Sequence, residues 1–95
     1  MAIDTPITAG TTERSSTAFE VKDGKSVVVF TNDDLVDQEH ITAERSYDGG
    51  TNWRPIPDAI VCSADKKEGR IYGPITDCRL TITATVASRT VYIDK

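Results

Sequence analysis

Along most of this chain, polar and apolar residues alternate with a period of two. Thr17, Phe19 and Val21 alternate with Ala18 and Glu20. A period of two puts successive side chains on opposite faces of a strand, so the pattern predicts half-buried β-strands. Residues 26–30 are almost continuously apolar, as in a strand covered on both faces. Ile41, Ala43 and Arg45 alternate towards a turn. Pro55 and Pro57 cannot donate to a ladder, which places the strand of residues 54–56 at an edge or ends it early. Residues 59–63 and 70–72 read as further short strands, the second broken by Gly73 and Pro74. The longest run comes late: Cys78, Leu80, Ile82, Ala84 and Val86 alternate with Arg79, Thr81, Thr83 and Thr85. Val91 and Ile93 continue the apolar face on a last strand. Seven or eight short strands at spacings of about ten residues predict an all-β sandwich, immunoglobulin-like or a jelly-roll variant. No run of ten residues has helical periodicity, and one turn within residues 33–38 is the only helical expectation.

Residues 1–15 stand apart. They are rich in Thr, Ala, Gly and Pro, with Ile3 and Ile7 as the only branched aliphatics. Ordering a backbone costs about 1–2 kcal/mol per residue, and so little apolar surface does not offset that. The expectation is an extended N-terminal arm over residues 1–15, mobile in a monomer, followed by a sandwich domain over residues 16–95. Ile3, Pro6 and Ile7 are its candidate contacts with a neighbouring molecule.

Composition narrows the function classes. Ninety-five residues, 38% hydrophobic and 27% charged, describe one domain with one modest core. A net charge of −4 argues against a nucleic-acid surface. No apolar run approaches the roughly 20 residues of a membrane-spanning helix. The N-terminus shows neither a basic region nor an apolar stretch, so no secretion signal is expected. Cys62 and Cys78 sit in alternating apolar runs and read as two buried free thiols, with a single inter-strand disulfide as the alternative. There is no C-x-x-C, and His40 lies far off in sequence, so no metal site or cofactor is expected.

The richest local pattern is Ser46-Tyr47-Asp48-Gly49-Gly50-Thr51-Asn52-Trp53, which reads S-x-D-x-G-x-x-W. It resembles the Asp-box, a β-hairpin of sialidase-type propellers, secreted β-proteins and small bacteriophage virion proteins. Its physics is structural. Asp48 accepts hydrogen bonds from the turn, Gly49 and Gly50 supply positive φ, and Trp53 covers the turn. A sialidase is not expected, since a propeller of at least four blades needs about 40–45 residues per blade and these residues carry one box. The acidic loop of residues 33–39 does not have the spacing of a calcium-binding EF-hand and reads as solvated. His40 follows Glu39, but no motif links it to a nucleophile. Tyr47 and Trp53 have the character of sugar-stacking residues, and equally of sandwich core or cap residues.

A wider resemblance covers residues 26–94. An alternating strand enters S-Y-D-G-G-T-N-W; a charged turn, R-I-Y-G-P, the strand C-R-L-T-I-T-A-T-V and a closing T-V-Y-I follow. In this order the chain resembles the small β-sandwich proteins of tailed-bacteriophage particles, among them capsid decoration (cement) proteins and head or tail accessory proteins. The resemblance implies a non-enzymatic virion protein, assembled in the host cytoplasm. Its expected partner is the major capsid protein or another virion protein, and it is expected to be a homo-oligomer, with a trimer as one form. The rival expectation is a carbohydrate- or receptor-binding module of a tail or fibre, for which exposure of Tyr47, Trp53, Tyr72 and Tyr92 is the discriminating feature.

Overall fold

A computed structural model describes residues 3–94. Its strands are β1 (Ile3–Gly10), β2 (Arg14–Ser15), β3 (Phe19–Val21), β4 (Ser26–Thr31), β5 (His40–Ser46), β6 (Arg54–Ser63), β7 (Glu68–Tyr72), β8 (Ile75–Ile82) and β9 (Arg89–Asp94). They form two antiparallel sheets. The first runs β1-β9-β4-β7; the second runs β2-β8-β5-β6, with β3 also on β8. Among the described residues, only β5 and β6 are hairpin neighbours within one sheet. The other long connections cross between sheets, which is how a short chain encloses a two-layer core.

The alternation produces that core. Val27 and Val29 of β4, Ile71 of β7, and Val91 and Ile93 of β9 face Ile41 and Ala43 of β5 and Cys78, Leu80 and Ile82 of β8; all are buried. On the outside of the first sheet, Phe30 stacks on Tyr92 at 5.3 Å between ring centroids. Cys62 and Cys78 are both buried free thiols. Burial pushes Cys62 up to about 11 and Cys78 up to about 12.

The structure corrects the sequence reading at the N-terminus and in three later segments. Residues 1–15 are not an arm apart from the sandwich. Ile3–Gly10 is an edge strand paired with β9, and Ile7 is buried in the core opposite Val91. The free edge of β9 supplies the ladder bonds that sparse apolar surface did not promise. That raises the count to nine strands among the described residues, not seven or eight, with β2 and β3 sharing one edge of β8. Of the candidate partner contacts, Ile7 therefore belongs to this domain's own core, Pro6 is half-buried, and Ile3 remains 57% exposed.

The remaining corrections concern lengths and loops. Strand β8 ends at Ile82, and Val86 is 82% exposed, because residues 83–88 must turn across to the other sheet. Residues 54–63 form one ten-residue strand, and it lies at an edge, as Pro55 and Pro57 require. Residues 33–39 contain no helical turn and are not simply solvated: Leu35 and Glu39 are buried.

Candidate functional site

The hairpin between β5 and β6 is built from its own side chains. Ser46, at the buried end of β5, donates from Oγ to Asp48 Oδ1 at 2.7 Å. The same oxygen accepts from the backbone N–H of Asp48 at 3.3 Å and of Gly50 at 2.8 Å. Asp48 Oδ1 accepts from the N–H groups of Thr51 and Asn52, and Oδ2 accepts from Asn52 Nδ2 at 2.7 Å. These bonds, the Asn52 N–H first among them, stabilise the carboxylate and lower its pKa to about 2. Gly49 and Gly50 have φ of 73° and 96°, a region that side chains resist. Trp53 closes the turn by donating its indole N–H to the Gly50 carbonyl at 3.1 Å.

The hairpin has two aromatic flanks. Trp53 is half-buried on the outer face of the second sheet, where the Arg79 guanidinium lies 4.6 Å from its ring centroid. Arg79 Nε donates to Glu44 Oε1 at 3.0 Å, and that oxygen also accepts from Thr81 Oγ1, which bonds Ser15 Oγ. A polar ladder thus runs across the sheet from β2 to the hairpin. On the other flank, Tyr47 is 76% exposed and stacks on the Arg45 guanidinium at 4.4 Å.

Arg45 opens onto a groove of about 630 Å³ between edge strands β6 and β7, whose walls include Ile56, Pro57, Arg70 and Tyr72. The groove closes where β6 crosses β7. There, a side chain on Gly69 would begin 2.0 Å from the Val61 carbonyl oxygen. At the opposite side of the sandwich, Asp4, Thr5, Pro6, Thr17, Phe19 and Ile93 line a smaller hollow of about 330 Å³.

Two polar clusters escaped the sequence reading. Glu39, buried beside Arg89, accepts from the N–H groups of Val36 and Val86 and so ties two crossing loops together. Arg14 donates to the carbonyls of Thr8, Gly10, Thr12 and Arg89, which fastens β1 to its turn and to β9. The apolar pair Leu35 and Val36, set in an acidic loop, is the one local sign that this loop is anchored. Nothing local marks Arg14.

The motif residues Ser46, Asp48, Gly49, Gly50 and Trp53 are brought together in one turn. His40 is not part of any such assembly; its Nδ1 lies 2.9 Å from the Gln38 carbonyl. Among the described residues, no group of three or more His, Cys, Asp or Glu side chains is placed to hold a metal ion. No family model, curated protein or solved structure matches the chain.

Proposed function

We propose that this chain is a structural virion protein, a capsid decoration protein that binds and reinforces a bacteriophage head, in repeated copies, through the major capsid protein. The observation that carries the reading is the S-x-D-x-G-x-x-W hairpin on a two-sheet sandwich. Its motif atoms hold the turn and leave no reactive group poised, which suits a rigid part that is docked rather than a site that turns over. The resemblance of residues 26–94 to phage sandwich proteins supplies the class. The test is mass spectrometry of particles purified from lysing source cells. The protein is expected in a fixed, high ratio to the major capsid protein, and adding it back to heads that lack it should raise their melting temperature. Its absence from particles overturns the reading.

A second reading is favoured by the exposure of Tyr47 (76%) and Tyr72 (69%), which fits a saccharide- or receptor-binding module at a tail or fibre. It predicts a few copies per particle and glycan binding that is lost in Tyr47→Ala.

A further inference from the structure

The two edges that border the groove are not alike. Along β6, Pro55 and Pro57 have no N–H to offer, and Asp58 bends the strand with φ of 55°. These features blunt an edge against pairing. Strand β7 has no such protection. Among the described residues it pairs only with β4, Ser26 opposite Tyr72 through Phe30 opposite Glu68. The Gly73 N–H donates to the Lys25 carbonyl. In an antiparallel ladder the bonding direction alternates. Gly69, Ile71 and Gly73 therefore bond towards β4, while the backbone groups of Arg70 and Tyr72 point away from it, along the groove side.

The groove also holds an unmatched cation. Arg45 follows Ile41 and Ala43 at a spacing of two on the inner face of β5. Its Nε is buried with no hydrogen-bond partner among the described residues, and its guanidinium lies over the Tyr47 ring. A buried N–H donor without a partner is costly, and an ionised acceptor is its strongest complement. At the exposed rim of the same groove, Asp58 and Glu68 are balanced by Lys66 and Arg70, which leaves Arg45 as the uncompensated charge that a single guest carboxylate would meet.

We propose that this groove binds an extended peptide segment of a partner protein. The segment adds as a strand to the free edge of β7, bonding Arg70 and Tyr72, and places a single carboxylate on Arg45. Strand addition draws its affinity from backbone bonds and its selectivity from side pockets; here Ile56 and Pro57 form the apolar wall. The inference stands on the groove and is independent of where the protein works.

The test uses the full chain, labelled with ¹⁵N, and two synthetic probes: acetyl-Thr-Val-Thr-Val with a free C-terminal carboxylate, and its C-terminal amide. The acid is expected to shift the amide signals of Arg70 and Tyr72 and the Nε–H of Arg45. The C-terminal amide should bind at least tenfold more weakly, about 1.4 kcal/mol, and Arg45→Met should bind both alike. Arg70→Pro removes an edge N–H where a strand tolerates proline; it should keep its melting temperature within a few degrees and lose binding. The proposal is overturned by no shifts at millimolar probe, by equal affinity for acid and amide, or by shifts centred on the hairpin. Glucuronate binding as tightly as the peptide would assign the groove to saccharides instead. Shifts that follow protein concentration without probe would assign it to a second copy of this chain.

Discussion

Ser46 makes three hydrogen bonds from one oxygen, and two of its partners are backbone N–H groups of the turn it begins. Removing that oxygen strands those donors in a half-buried position. Ser46→Ala should therefore lower stability by about 1–2 kcal/mol in chemical denaturation. Trp53 is half-buried and not in the core, so Trp53→Ala should cost about 2 kcal/mol, below the 3–5 typical of a fully buried aromatic. Asp48 carries a pH signature. Its folded pKa of about 2 lies below the ordinary aspartate value of 3.8, so its contribution is complete above the unfolded pKa and disappears as pH falls through the folded one. Thermal melts of the native protein should lose stability between about pH 4 and pH 2 more steeply than melts of Asp48→Asn. Parallel curves for the two would show that the carboxylate does not hold the turn.

At the scale of elements, β1 is the informative strand. Its register is interrupted between Asp4 and Ile7 and again between Ile7 and Gly10, and Ile7 is its buried anchor. Arg14 then pins its end through four carbonyls. Deleting residues 3–10 removes Ile7 from the core and bares the edge of β9. The truncated protein should lose at least about 3 kcal/mol, the middle of the range for emptying one large aliphatic site, and should tend to aggregate through that edge. An unchanged melting temperature would show that β1 is not integral to the sandwich. Where β6 crosses β7, Gly69→Ala sets a methyl group against the backbone of Val61. The backbone cannot swing aside as a side-chain tip would, so a loss of about 2 kcal/mol or more is expected, measured by the same denaturation.

The whole molecule is held closed by a core shared between the sheets, and the two thiols report on it. Cys62 lies on edge strand β6 and Cys78 on interior strand β8, both shielded and both with pKa values raised by burial. Near pH 8 neither should react with a thiol reagent until the fold opens. Cys78 should then be modified at the rate of global unfolding. Cys62 should react at that rate if β6 opens only with the whole, and faster if the edge peels first. Labelling in dilute denaturant, read by mass, separates these. A rapid reaction of Cys78 in native buffer would contradict the burial described here.

The sandwich and its hairpin were legible in the sequence because both are local. A period of two sorts side chains onto two faces of a strand, and S-x-D-x-G-x-x-W places acceptor, positive-φ glycines and ring within eight residues. Cys78, Leu80 and Ile82 are buried for the first reason, and Ser46, Asp48 and Trp53 meet for the second. What the tertiary structure alone decided depends on distant partners. Ile3–Gly10 is a strand because β9 has an edge for it, which no property of those eight residues states. Glu39 is buried because Val86 and Arg89 reach it from a loop and a strand far along the chain, beyond its local bond to the Val36 N–H. Arg45 faces a groove because β6 and β7, in different sheets, part beside it. Patterns within one strand follow from its own chemistry; the pairing of edges and the pooling of charges follow from which strands the fold brings side by side.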